Sequence, residues 1–358
     1  MTILLNSDFA SHRSSPAVAE LAFLGPKGTY SHQAAYDRFG EGVRYVGRPT
    51  ITDVYESVRS GECPVGLIPQ ENSIHGIVIE SYDALRVPDF GSKVFVRGEV
   101  TIKIQHCLIT RKGVALQDVK RILSHEQALG QCGRFIKSHL KDAVLVKTPS
   151  TVAGVEAILN DEREGRSSAA IASSVCERLF DGIQVLQKGI QDQASNFTRF
   201  YVLARSVDWQ LPSNPTSFSP WSYESPRNKG LLRIRVSETC DPLPDFTHSR
   251  SQVTHGTGGS DLASLLSVLG LPICRLDRRP LLGAKTFTNL YIVEVDGGEQ
   301  SFDSAGSSPI ASDIAMGPDG LGRWVGGATD LEMWALRLRE ATGRVVEAGG
   351  DAEVLGCW

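Results

Sequence analysis

Nowhere in the 358 residues is there a run approaching the roughly 20 consecutive apolar positions that carry a helix across a bilayer. A helical membrane protein is therefore not the expectation. The opening segment, Met1 to Pro16, also lacks the long apolar core of a secretory signal, and its cluster Ser11, His12, Arg13, Ser14 and Ser15 reads as the polar tail of a cytoplasmic protein. Long basic runs are absent and the formal net charge is -4, which argues against nucleic acid or an anionic membrane as partner and for a small molecule. Cysteine occurs 7 times, at Cys63, Cys107, Cys132, Cys176, Cys240, Cys274 and Cys357. The odd count, the wide spacings and the lack of any Cys-x-x-Cys support neither a disulfide framework nor a zinc site, so most of these side chains read as small buried hydrophobes. A nucleotide-binding glycine loop is missing too, and neither a metal nor an organic cofactor is expected.

What is present is an alternation of two periodicities. Leu21 to Leu24, Val65 to Ile68, Arg121 to Leu123, Ala169 to Ala172 and Phe200 to Leu203 read as strands, with helical patterns between them at Ser31 to Phe39, Asp53 to Ser60, Gln127 to His139 and Val152 to Leu159. That order implies an α/β architecture with largely parallel sheets. Val94 to Val100 and Ile102 to Leu108 are extended with no helix between them, which suggests a crossing between two lobes and hence a cleft. A tail over 1–18 is followed by a two-lobed unit over 19–206, its second lobe about 100–185. The Pro-, Ser- and Asn-rich 207–229 reads as a linker, and 230–358 as a further domain. In that domain Leu231 to Val236, Ile273 to Leu276, Leu290 to Val295 and Arg344 to Ala348 read as strands, and Asp261 to Leu269 and Asp330 to Ala341 as helices, a βαββαβ order. Glu238 to Ser260 and Gly297 to Gly327 exceed such a module and read as surface insertions.

The segment richest in chemistry is Gln193-Ala194-Ser195-Asn196-Phe197-Thr198-Arg199-Phe200-Tyr201-Val202-Leu203, where hydrogen-bonding residues lead into a buried strand. Thr198 and Arg199 stand at its mouth and are expected to face the cleft together, a hydroxyl beside a fixed cation. Three earlier segments accompany it: Gly25-Pro26-Lys27-Gly28-Thr29-Tyr30-Ser31-His32-Gln33-Ala34-Ala35; Pro69-Gln70-Glu71-Asn72-Ser73 followed by Gly76; and Ser124-His125-Glu126-Gln127-Ala128-Leu129 followed by Gln131 and Cys132. Together, in this order, the four motifs closely resemble the prephenate dehydratase family over roughly Leu21 to Leu203. The resemblance implies a two-lobed, periplasmic-binding-protein-like catalytic domain with a cleft, followed by a βαββαβ domain similar to the amino-acid-sensing ACT module.

It also implies a reaction, loss of carbon dioxide and the ring hydroxyl from prephenate to give phenylpyruvate. Aromatisation drives it, so the protein must hold a dianion and help hydroxide leave. On the resemblance Thr198, Glu71, Asn72, Ser124 and Gln131 are the catalytic set, and Arg199, Phe200, Thr29, Ser73, Gln127, Ser150, Thr151 and Asn196 bind substrate. Thr198 would donate a hydrogen bond to the departing hydroxyl; the plainer reading is a threonine satisfying backbone at a strand start. Arg199 serves equally as a carboxylate clamp or as an ion pair between lobes. Glu71 repels a dianion, which suits it to orienting Asn72 or a cation. Ser124, Ser150 with Thr151, and Thr29 each read as caps opening helices, and three helix N-termini at one cleft would attract carboxylates. His32 and His125, at helix starts, read as structural. The chain departs from the family at Gln70, where an aliphatic residue is usual, and at Glu126, where proline is usual and an acid adds negative charge beside the anion site.

In the last domain, Leu276-Asp277-Arg278-Arg279-Pro280 resembles the phenylalanine-binding signature Ile-Glu-Ser-Arg-Pro of ACT domains, departing from it at Arg278. Gly259, Asp261, Leu262, Asp277, Arg279 and Pro280 are thereby implied as an allosteric phenylalanine site, although Asp261 also reads as a helix cap. A homodimer or homotetramer follows from the same resemblance. Two other readings remain open at this point, an arogenate dehydratase and a non-catalytic two-lobed protein that binds a small anion.

Overall fold

A computed structural model describes residues 18–206, 228–236, 261–285, 287–297, 314–316, 322–324 and 330–358. The tail, the linker, Gly259 and most of both insertions fall outside the described residues.

The first lobe is built from β1 (Ala19–Leu24), α1 (Tyr30–Phe39), β2 (Val43–Arg48), α2 (Ile51–Ser60), β3 (Val65–Asn72), β4 (Gly76–Ile77), α3 (Ile79–Ala84) and β5 (Phe95–Lys103). The chain then crosses into a second lobe made of β6 (Cys107–Arg111), β7 (Arg121–Ser124), α4 (Glu126–Gln131), α5 (Gly133–His139), β8 (Val144–Lys147), α6 (Thr151–Asn160), β9 (Ser168–Ala172), α7 (Cys176–Leu179) and β10 (Ile183–Lys188). It returns through β11 (Phe197–Ala204). The two crossings lie side by side, Ile104 N donating to Asn196 O at 2.8 Å and Ile190 N to His106 O at 3.0 Å. The C-terminal unit comprises β12 (Lys229–Val236), α8 (Leu262–Leu269), β13 (Ile273–Pro280), β14 (Asn289–Asp296), β15 (Ile314–Met316), β16 (Gly322–Trp324), α9 (Asp330–Glu347) and β17 (Gly350–Cys357).

Local chemistry explains the principal elements. Thr50 and Asp53 form a reciprocal capping box that starts α2, and Gly61 ends the helix in the left-handed region at φ 84°. α6 rests on the second sheet at Gly154, where a Cβ would come within 2.7 Å of Leu123 O; only glycine lets the helix lie so close. In the C-terminal unit, Trp334, Leu338, Ala341 and Val345 line one face of α9 at helical spacing and are buried against β12, β14 and β17 together with Leu265 and Leu269 of α8.

Several expectations need correction. Arg344 to Ala348, read as a last strand, is the last turn of α9 and the first residue after it, because the buried stripe through Val345 outweighs the β preference of Val345 and Val346; the last strand is β17. The helix expected over Gln127 to His139 breaks at Cys132 into α4 and α5. Sheets expected to be largely parallel are mixed: β1 runs parallel to β2 and β3, but β11 is antiparallel to both β3 and β5. The C-terminal unit is also less separate than a linker suggests. Its strands continue the first lobe's sheet in the order β13-β14-β12-β17-β5-β11-β3-β1-β2, with β4 beside β3. At the seam Gly356 faces Val96, whose carbonyl leaves no room for a Cβ. Arg233, 4% exposed, reinforces it by donating to the carbonyls of Leu85, Val87 and Phe90.

One irregularity positions the site. In the β3–β11 ladder Asn72 opposes Thr198, Glu71 opposes Arg199, and Pro69 opposes Phe200, leaving Gln70 as an extra residue. Such a bulge re-aims side chains by breaking the alternation. Gln70 and Glu71 consequently both point to the C-terminal unit, while Asn72 points to the other face.

Candidate active site

That other face opens on a cleft of about 430 Å³ between the two lobes. The first turns of α1, α4 and α6, the turn between β3 and β4, and the mouth of β11 form its walls. Of the residues singled out from sequence, Thr29, Asn72, Gln127, Gln131, Ser150, Thr151, Asn196 and Thr198 line it, joined by Tyr30, His75, His106 and His125. No lysine or arginine does so among the described residues. Thr29 caps α1 by accepting from His32 N, and Ser150 caps α6 by accepting from Ala153 N at 3.1 Å. The N–H groups these caps leave unclaimed in each first turn give the cleft positive potential without a cation.

Asn72 organises the floor. Its Oδ1 accepts from Ile74 N at 3.0 Å and His75 N at 3.1 Å, so its Nδ2 faces Asn196 Oδ1 at 2.7 Å, Phe197 O at 3.0 Å and Thr198 Oγ1 at 3.0 Å. Thr198 therefore accepts from Asn72, and no acceptor among the described residues claims its own hydrogen, which can be directed into the cleft.

Five expected site residues lie elsewhere. Arg199, expected beside Thr198 in the cleft, is its neighbour on a pleated strand and points the opposite way. There it lies 3.6 Å from Glu71, 3.7 Å from Glu99 and 3.7 Å from Glu294 of the C-terminal unit. Burial works against its charge, yet the three carboxylates outweigh that and hold its pKa above the ordinary value. Glu71 shares that face, paired also with Arg275. Phe200 is 1% exposed, in the core with Leu67, Val100 and Val202. Ser124 is wholly buried and donates to Ile171 O; the residue that caps α4 is His125. Ser73 clips the turn to β11, donating to Ser195 O at 3.1 Å and accepting from Phe197 N at 2.9 Å. Glu126 does not line the cleft either, and its pairing with Lys147 keeps its carboxyl below the usual range.

The residues of the phenylalanine-like signature are engaged inside the chain. Asp261 caps α8 through Ser264 N at 2.8 Å, which lowers its pKa, and Leu262 begins that helix. Asp277 pairs with Arg275, Arg279 with Asp83 of α3, and Pro280 O accepts from Arg86 at 2.9 Å. Gln70 joins the same interface: its Nε2 donates to Tyr82 at 3.1 Å and Tyr201 at 2.9 Å, and Tyr201 reaches Glu294 at 3.4 Å. The family's aliphatic residue has been replaced here by the hub of a polar link to the C-terminal unit.

Tyr30, His75 and His106 were not anticipated. Tyr30 and His75 lie within or beside recognised motifs, but His106 sits in a crossing whose apolar neighbours mark it only as core; its 2% exposure is a tertiary fact. His32 is structural: its Nδ1 accepts from Gly28 N at 3.2 Å, its ring stacks on Phe23, and burial lowers its pKa to about 4.

Comparison with known proteins agrees with this geometry. The chain is 34% identical over 186 residues to the bifunctional chorismate mutase/prephenate dehydratase of Aquifex aeolicus (strain VF5), covering 52% of this chain and 49% of that one. It is 32% identical over 217 residues to the Escherichia coli (strain K12) protein described in the same words, covering 57% and 53%. The chain thus spans about half the length of the curated relatives it matches. Among solved structures, prephenate dehydratase from Arthrobacter aurescens in complex with L-Phe superposes with a TM-score of 0.62 at 22% identity over 94% of this chain and 89% of that one. The Staphylococcus aureus Mu50 enzyme gives 0.60 at 19% over 95% and 99%, and GqqA, described as a quorum-quenching acylase, 0.60 at 21% over 94% and 96%. At such identities the likeness speaks to fold alone. The family model described as prephenate dehydratase matches residues 21–208, over half of the sequence and all of the cleft, and the chain belongs to that family.

Proposed function

We propose that the protein catalyses the decarboxylating dehydration of prephenate to phenylpyruvate, using the cleft between the lobes. The observation that carries this reading is the Thr198 hydroxyl, which accepts from Asn72 and keeps its own hydrogen for a ligand. In the reaction the bond to the ring carboxylate breaks, its electron pair enters the ring, and the carbon–oxygen bond opposite breaks as hydroxide departs. A threonine hydroxyl holds its proton too tightly to surrender it at neutral pH, so Thr198 donates a hydrogen bond to the leaving oxygen, strongest as charge develops there. The first turns of α1 and α6 supply donors for the substrate carboxylates, and Asn196 and Gln131 complete the polar wall.

The reading extends to an ACT-type, phenylalanine-sensing role for the C-terminal unit, a cytoplasmic location, and assembly into a homodimer or homotetramer. Its βαββαβ order, with the separate hairpin β15–β16 inserted before α9, its ion pairs to the strands of the cleft and the L-Phe complex of the Arthrobacter relative support the first of these. Edge strand β13, with Ile273 39% and Leu276 43% exposed, supports pairing of copies. Prephenate and arogenate assayed side by side, with and without phenylalanine, test the reading. Turnover of prephenate that phenylalanine depresses is expected; turnover of arogenate alone would reassign the substrate, and turnover of neither would overturn the activity.

A further inference from the structure

We propose that His106 is a positioning residue whose Nε2–H tautomer holds the Gln131 amide in the one orientation that continues the hydrogen-bond chain of the cleft wall from Asn72 and Asn196. The assignment begins at two backbone donors that allow no choice. Because Ile74 N and His75 N both donate to Asn72 Oδ1, Asn72 must present Nδ2 to Asn196. Asn196 must then offer Oδ1, and turns its Nδ2 to Gln131 Oε1 at 3.4 Å. With its oxygen so placed, Gln131 receives His106 Nε2 at 2.6 Å, and that nitrogen has to be the protonated one. The other ring nitrogen, Nδ1, is left as the acceptor for the Tyr30 hydroxyl at 2.7 Å, nearer than that hydroxyl's alternative acceptor, Gln105 O at 3.2 Å. Gln131 Nε2 meanwhile points across the cleft to His75 Nε2 at 2.8 Å, an N–H that a ligand oxygen can take over.

The opposite tautomer would set a bare Nε2 against a carbonyl oxygen 2.6 Å away, and Gln131 would have to turn over. Its NH2 group would then face Asn196 Nδ2, and the wall would lose both that link and its donor toward the cleft. Burial at 2% exposure lowers the ring's pKa, only partly offset by the bond to Gln131, which suits a neutral imidazole. The catalytic part of this inference rests on the dehydratase reading; the tautomer itself does not.

Two measurements on the full chain test it. Long-range proton–nitrogen NMR of histidine-labelled protein should show His106 with Nε2 protonated and Nδ1 bare at neutral pH. An Nδ1–H or doubly protonated ring would overturn the proposal whether or not the protein has the assigned activity. In turnover, His106→Leu should lower kcat about tenfold to a hundredfold, as misplaced groups do, whereas His106→Gln, which restores an N–H at the same reach, should recover most of it. In a Gln131→Met background His106→Leu should cost nothing more in kcat, since its effect passes through the missing amide. Equal losses in His106→Gln and His106→Leu, or additive losses in the double variant, would refute the positioning role.

Discussion

The two faces of strands β3 and β11 make opposite use of polarity. On the cleft face Asn72 and Thr198 sit among amides, hydroxyls and helix ends, with no arginine or lysine among the described lining residues. On the reverse, one residue away, Glu71 and Arg199 join Arg275, Glu99, Glu294 and Lys229 in a half-buried web of full charges. Full charges taken from water stay put only while each has its partners, so the reverse face holds two units in one arrangement. Dipoles fixed by backbone make no such demand, and leave the cleft face free to receive and release an anion.

Breaking the charged face should therefore cost stability and spare chemistry. Lys229 lies 3.1 Å from Glu99 and 3.0 Å from Glu294, which are 5% and 2% exposed. Lys229→Met leaves both carboxylates underpaired, and urea unfolding should show a loss of about 3–5 kcal/mol while kcat stays close to wild type. If stability is kept and kcat collapses, the division between faces is wrong.

The cleft face should answer the other way. Thr198→Ala is expected to lower kcat by at least about a hundredfold with KM and thermal midpoint little changed, and Thr198→Ser to recover much of the loss. Near-normal turnover in the alanine variant would remove Thr198 from the mechanism.

A smaller effect concerns the neutral imidazole in the first turn of α1. His32 in the folded protein has a pKa of about 4, against 6.5 for the free side chain. Between these values the unfolded chain binds the proton and the folded one does not, so stability rises with pH across that window and is lost as pH falls from 6.5 to 4, by up to about 3 kcal/mol. His32→Gln should flatten this part of the profile, whatever its own cost; an unchanged slope would show that other groups set it. Least of all should happen on exhaustive chelation, since no group of three His, Cys, Asp or Glu side chains suited to a metal occurs among the described residues. Activity lost to a chelator and restored by a divalent ion would contradict this.

Much of the cleft was legible because its donors sit inside short contiguous motifs, and capping is a local affair: Thr29, Ser150 and the Asn72 turn can be located from neighbours alone. What was misread is parity. Alternation puts Thr198 and Arg199 on opposite faces, and only the extra residue at Gln70 sends two consecutive side chains of β3 to the same face, a matter of ladder register. His106 was hidden for another reason: its partners Tyr30 and Gln131 are 76 and 25 residues distant in sequence. The strand misread at Arg344 to Ala348 shows local preference yielding to a buried helical stripe.

The scarcity of cations in the cleft bears on how a ligand arrives. Helix ends act over a few ångströms and do not reach into solvent, and the chain's formal charge of -4 has the same sign as a dicarboxylate. The pull of the helix ends is thus felt only once a ligand is between the lobes. Any longer-range attraction has to come from charges outside the cleft lining, and only that part is open to screening by salt.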